Sequence, residues 1–153
     1  MSLDEIHAAI PHRAPFLLVD EILERSDQRI RCRKTFRPDE WYFAGHYPGH
    51  PITPGVILCE AAMQAGAILL SHSLPPTAQG LPVAARMNDV RFKRIVRPGE
   101  TVDIEVDLID HIATAWQLKA KVLCGDKVAV RFDFTCTVVP DPADSSVDSS
   151  AHT

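Results

Sequence analysis

The sixteen residues from Gly55 to Leu70, GVILCEAAMQAGAILL, hold only two strongly polar side chains, Glu60 and Gln64. Thr53 ahead of the run is a ready N-cap, and Pro54 suits a first helical position, where a missing N–H costs nothing. The stretch therefore predicts a helix reaching about Ser71. A helix that is apolar nearly all round has to be wrapped on most sides. Lipid is a poor wrapping: at about 1.5 Å rise per residue the helix falls short of the roughly 30 Å hydrocarbon core, and Glu60 sits inside it. The wrapping must come from the rest of the chain.

What surrounds the helix is rich in strand signals. Ser2 followed by Glu5 forms a capping box that predicts a short helix over Leu3 to Ala9, stopped by Pro11. FLLVDEILER and IRCRKTF, separated by SDQR, predict two antiparallel strands. Beyond the helix, SLPPTAQG is a break. VAARMNDVRFKRIV, TVDIEVDLIDHI, ATAWQLKAKVLC and VAVRFDFTCTVV follow as strands, the last two joined by the hairpin turn GDK. Val128, Val130, Phe132, Phe134 and Cys136 alternate with polar residues at a period of two, as a strand with one dry face requires. The expected fold class is α+β, a curled antiparallel sheet around one long central helix, as a single domain over residues 1–140. The tail from 141 to 153 has almost nothing to bury and is expected to be disordered.

At 153 residues the chain suffices for one compact domain, and 46% hydrophobic with 24% charged residues is ordinary globular composition. A net charge of -4 argues against nucleic acid as the main partner. Cys32, Cys59, Cys124 and Cys136 are scattered, without a C-x-x-C pair, and suggest reduced core thiols. MSLDEIHAAI lacks the basic and apolar regions of a signal peptide, so the expected location is cytoplasmic.

The chemistry concentrates around the helix. Glu60 and Gln64, four residues apart, share one stripe, which faces either a functional pocket or plain solvent. RPDEWYFAGHYPGHPITPG is a long Pro- and Gly-rich loop, of the kind that carries function on a rigid scaffold. Within it His46, flanked by Pro48, Pro51 and Pro54, is a candidate acid/base partner for Glu60 near neutral pH. The helix start at Gly55 and Val56 offers free N–H groups for a developing oxyanion. His46 and His50 with Cys59 or Glu60 also admit a metal, but the prolines make that spacing a loop, so no metal is expected.

Three motifs in order carry a resemblance: IPHRAPFLLVDEI (Ile10 to Ile22), FAGHYPGHPITPGVILCEAAMQAG (Phe43 to Gly66) and DVRFKRIVRPGE (Asp89 to Glu100). The chain resembles the 3-hydroxyacyl-[acyl-carrier-protein] dehydratases of bacterial fatty acid synthesis, which have the hotdog fold. The resemblance implies that His46 and Glu60 are the catalytic pair, that Gly55 with Val56 binds the thioester carbonyl, and that Gln64 supports the site. It further implies no cofactor, and a homodimer in which the histidine and glutamate of one site come from different subunits, often assembled into a trimer of dimers. The partner it implies, an acidic acyl carrier protein bearing the acyl chain on phosphopantetheine, needs a local basic patch. Arg91, Lys93, Arg94 and Arg97 are the candidates, with Arg91 and Lys93 expected on one strand face; a solvated face is the alternative. Thr53, Tyr47 and Ala14 replace the family's common methionine, phenylalanine and tyrosine, which leaves chain-length preference open. The rival readings are a hotdog acyl thioesterase, an isomerising dehydratase, a dehydratase of a specialised polyketide or lipid pathway, and a non-catalytic module that binds carrier protein.

Overall fold

The computed structural model describes residues 3–74 and 81–139. Its elements run α1 (Leu3–Ala9), β1 (Glu21–Arg25), β2 (Arg29–Thr35), α2 (Gly55–Leu70), β3 (Leu81–Phe92), β4 (Thr101–Ile112), β5 (Ala115–Cys124) and β6 (Lys127–Val139). The capping role of Ser2, the break beyond residue 74 and the tail over 141–153 lie outside the described residues. The six strands form one antiparallel sheet in the order β1-β2-β4-β5-β6-β3. Bulges interrupt every ladder except β2–β4, and each adds local twist and bend, so the sheet curls. The expected wrapping of the apolar helix is realised.

The alternation seen in sequence sets the concave face. Val102, Ile104 and Val106 of β4, Trp116, Leu118, Ala120 and Val122 of β5, and Val130, Phe132, Phe134 and Cys136 of β6 are buried against α2. Gly66 permits a close approach: a Cβ there would lie 2.6 Å from Cζ of Phe134. On the convex face Arg31 and Arg33 both bond Asp103, at 2.8 and 2.9 Å, tying β2 to β4. The bond from Arg33, reinforced by Arg31, holds the Asp103 carboxyl below its ordinary range.

The start of α2 differs from expectation by one residue. Pro54 is the N-cap and Gly55 the first helical residue, without a side-chain cap. Thr53 instead donates its backbone N–H to Val96 at 2.8 Å, which stitches the loop to the segment after β3. At the other end, the carbonyl of Ile68 accepts from Ser71 and from the Arg25 guanidinium, a cation where the helix dipole favours one. β1 also begins later than expected, at Glu21, because Phe16 to Leu18 are committed to Gln64 of α2.

No helix among the described residues is long and apolar enough to cross a membrane. All four cysteines are free and buried. Burial pushes the Cys32 thiol up to about 12 and those of Cys59 and Cys136 up to about 11, so they stay protonated at neutral pH.

Candidate active site

The loop from Phe36 to Pro54 is a succession of tight turns rather than a free strap. Glu40 donates its N–H to Arg37, Phe43 to Glu40, and His46 to Phe43, at 3.1, 3.2 and 3.2 Å. Tyr42 and Phe43 are buried beneath it, and the Glu40 carboxylate bonds the buried ammonium of Lys34 at 2.6 Å. Gly49, at φ +83°, turns the chain back so that Ile52 meets His46 twice. The N–H of Ile52 donates to the His46 carbonyl at 2.9 Å, and Nδ1 of His46 lies 3.1 Å from the Ile52 carbonyl. A carbonyl only accepts, so Nδ1 carries the hydrogen and Nε2 is left with its lone pair. The Tyr47 ring stacks on the imidazole at 4.7 Å. The histidine is held in backbone, tautomer and ring plane.

His46, Pro54, Gly55, Val56, Phe92 and Lys93 border one open cleft of about 520 Å3. Pro54 accepts from the N–H groups of Ile57 and Leu58, whereas those of Gly55 and Val56 have no partner among the described residues. Two free donors at the positive end of α2 thus lie in the same cleft as the imidazole. Gly55 has no room for a side chain, since a Cβ would come within 2.5 Å of the Phe92 ring.

Glu60 lies elsewhere. With His12, Met63, Gln64, Val83 and Cys136 it lines a second cleft of about 240 Å3 that does not include His46. One chain therefore does not bring the expected pair into one opening. The two clefts are joined along α2 by its one incompletely buried stripe, Val56, Glu60, Met63 and Ala67, of which Val56 is 71% exposed. Gln64 is off that stripe and only 1% exposed. Its Oε1 accepts from the Leu18 N–H at 2.7 Å, while its Nε2 donates to the Phe16 carbonyl at 2.8 Å and to Oε1 of Glu60 at 3.2 Å. The glutamine is a clamp between the 16–18 segment and the carboxylate.

The basic residues separate. β3 ends at Phe92, and a bulge between Asn88 and Arg91, with Asp89 at φ +52°, breaks the alternation, so Arg91 and Lys93 are not successive residues of one strand face. Arg91 pairs with Asp89 at 3.0 Å, and Arg94 with Glu100 at 3.2 Å. The Cys124 thiol, more than the Arg97 N–H or Arg94, holds the Glu100 carboxyl low by donating to it. Lys93 and Arg97 are exposed without an ion pair among the described residues, and Lys93 and Arg94 border the His46 cleft.

Sequence reasoning missed His12, whose Nε2 lies 3.8 Å from Oε1 of Glu60. The only signal was its place in PHRAP; nothing in spacing ties it to the helix. His50 is exposed in the loop, and no group of three His, Cys, Asp or Glu side chains suited to a metal comes together among the described residues.

Comparison with known proteins adds the lineage. A family model described as a FabA-like domain matches residues 10–133. A 3-hydroxyacyl-[acyl-carrier-protein] dehydratase FabZ from Koribacter versatilis is 40% identical, covering 94% of this chain and 92% of its own. One from Chloroflexus aggregans is 49% identical, covering 93% and 98%. Among solved structures, the dehydratase heterocomplex ApeI:P of Xenorhabdus doucetiae superposes with a TM-score of 0.75 at 19% identity, over 92% of this chain and 93% of that one, a likeness of fold. With the family model spanning most of the chain and the dehydratases aligning nearly end to end, the protein belongs to the FabA-like family.

Proposed function

We propose that this protein removes water from (3R)-3-hydroxyacyl-[acyl-carrier-protein], giving the trans-2-enoyl thioester in fatty acid biosynthesis. The observation that carries the reading is the His46 cleft: an imidazole with Nδ1 engaged and Nε2 free, beside two unpartnered helix N–H groups. Nε2 takes the C2 proton. The Gly55 and Val56 N–H groups stabilise the enolate-like charge on the thioester oxygen. The electron pair returns to form the C2–C3 double bond as the C3–O bond breaks, and Glu60 protonates the departing oxygen. The proton on His46 then returns to solvent and Glu60 is reprotonated.

Glu60 reaches that reaction from a second copy of the chain. Among the described residues β3 is an edge strand, paired with β6 alone, and its Val83, Met87 and Phe92 are exposed. A two-fold dimer across this edge covers the apolar residues and lets the half-open stripe of one α2 complete the His46 cleft of the other subunit. Further assembly into a trimer of dimers is compatible with this arrangement. Lys93, at the mouth of that cleft and without an ion pair among the described residues, is suited to meet the acidic carrier together with Arg97, while Arg94 and Arg91 contribute less through their pairs with Glu100 and Asp89. Four protonated buried thiols suit a reducing, cytoplasmic setting.

The test runs the reaction backwards, adding purified protein to a crotonyl thioester on carrier protein or coenzyme A and following ultraviolet absorbance. Hydration removes the conjugated double bond with the thioester intact, and His46→Ala lowers the rate by about 100-fold or more. Release of free thiol instead overturns the reading in favour of a thioesterase.

A further inference from the structure

We propose that His12 is a positioning residue for Glu60, and that with Gln64 it fixes which carboxyl oxygen exchanges the proton; the proposal rests on the dehydratase reading. The segment bearing His12 is knotted in place. The Arg13 guanidinium donates to the carbonyls of His7, Ile10 and His12 at 3.0, 2.9 and 2.7 Å, and the Arg13 carbonyl accepts from Phe16 and Leu17 at 2.9 and 3.1 Å. Gln64 then ties Phe16 and Leu18 to α2. Between these anchors the imidazole enters the Glu60 cleft with Nδ1 buried and without a partner among the described residues, so Nε2, 3.8 Å from Oε1 of Glu60, makes the ring's one polar contact among them.

The hydrogen-bond inventory decides the rest. Gln64 has both amide hydrogens committed, one to Phe16 and one to Oε1 of Glu60. Two nitrogens from two different segments thus converge on Oε1, while Oε2 has no hydrogen-bond partner among the described residues. An oxygen that accepts from an amide N–H and faces an imidazole N–H is the carbonyl-like one. The proton delivered to the leaving hydroxyl is therefore carried on Oε2, and His12 keeps the carboxyl from rotating to exchange the two. Its hydrogen sits on Nε2, leaving a lone pair on the buried Nδ1.

The experiment compares His12→Phe, which keeps the ring's bulk and removes its nitrogens, with His12→Gln, which returns an N–H donor at similar reach. Both are measured with a 3-hydroxybutyryl thioester, alone and in a Glu60→Gln background, with thermal midpoints alongside. The expected result is a fall in kcat of about 10- to 100-fold for His12→Phe with KM within about twofold, substantial recovery in His12→Gln, and no further fall when His12→Phe is added to Glu60→Gln. An unchanged kcat overturns the proposal. So does a loss that multiplies with that of Glu60→Gln, or an equal loss in both His12 variants that tracks a lowered midpoint. If wild-type protein fails to turn over the thioester, the assigned reaction falls instead. The contact is then judged by midpoints: non-additive shifts for the His12→Phe and Glu60→Gln pair support it, and additive shifts overturn it.

Discussion

Lys34 is 1% exposed on the inward face of β2, in register with Ile30 and Cys32, where a strand of this kind ordinarily carries an apolar residue. Its ammonium is held by Glu40 at 2.6 Å and Asp20 at 3.6 Å, and lies 5.6 Å from the centre of the Phe36 ring. Removing one member of such a pair leaves an uncompensated charge, and at buried sites that costs about 3 kcal/mol or more. Lys34→Met is expected to lower stability by about that amount in urea unfolding, and Lys34→Met/Glu40→Leu to recover much of it. Catalysis should fall with the single change, since Glu40 anchors the turns that lead to His46. Neither Lys34 nor His12 stood out in the sequence. Lys34 lies within a basic, alternating run whose other cations face outward to Asp103, and the tie of His12 to Glu60 exists only after the 10–18 segment folds across α2. His46, Glu60 and Gly55 did stand out, because Pro- and Gly-rich loops and a lone carboxylate in an apolar run are local signals.

At the scale of elements, α2 shows why the period of its residues was informative and its ends were not. Its burial follows from being apolar on nearly every side, which any surrounding sheet satisfies. Its cap lies one residue beyond the expected Thr53, because it is the Pro54 carbonyl that accepts the first helical bonds, from Ile57 and Leu58, with Pro54 itself in extended backbone. β3 stops at Phe92, short of the expected strand, because the bulge at Asp89 and the bonds from the Lys93 and Arg94 N–H groups to one carbonyl, Ala129, arise from contacts with β6, distant in sequence. The helix–sheet contact gives a sharper test. In an isolated helix Gly66→Ala would gain up to about 1 kcal/mol from propensity. Here the added methyl would meet the 1% exposed Phe134 at 2.6 Å, and overpacking costs about 1–3 kcal/mol. The overpacking term is expected to win, lowering the thermal midpoint by several degrees, whereas Gly66→Ala combined with Phe134→Leu should regain part of the loss.

For the whole molecule, the decisive fact is that His46 and Glu60 border different clefts in one chain. Mixing inactive His46→Ala and Glu60→Ala subunits after exchange is expected to restore roughly a quarter of wild-type activity, since half the dimers are mixed and each has one intact site. If proven exchange restores nothing above either parent, the shared site is wrong. In sequence the proposed shared site is implied only through resemblance, because no spacing within a chain encodes a contact across a symmetry axis.

The open edge of β3 also bears on how the protein comes to exist. A strand with unpaired N–H and carbonyl groups and exposed Val83, Met87 and Phe92 will accept any extended segment, not only its own twin. A newly made subunit is therefore at risk for as long as it is alone. In the proposed dimer, pairing of two β3 edges would protect against misassembly as well as complete the catalytic centre, and a variant that weakens it is expected to be lost to aggregates before its chemistry can be measured.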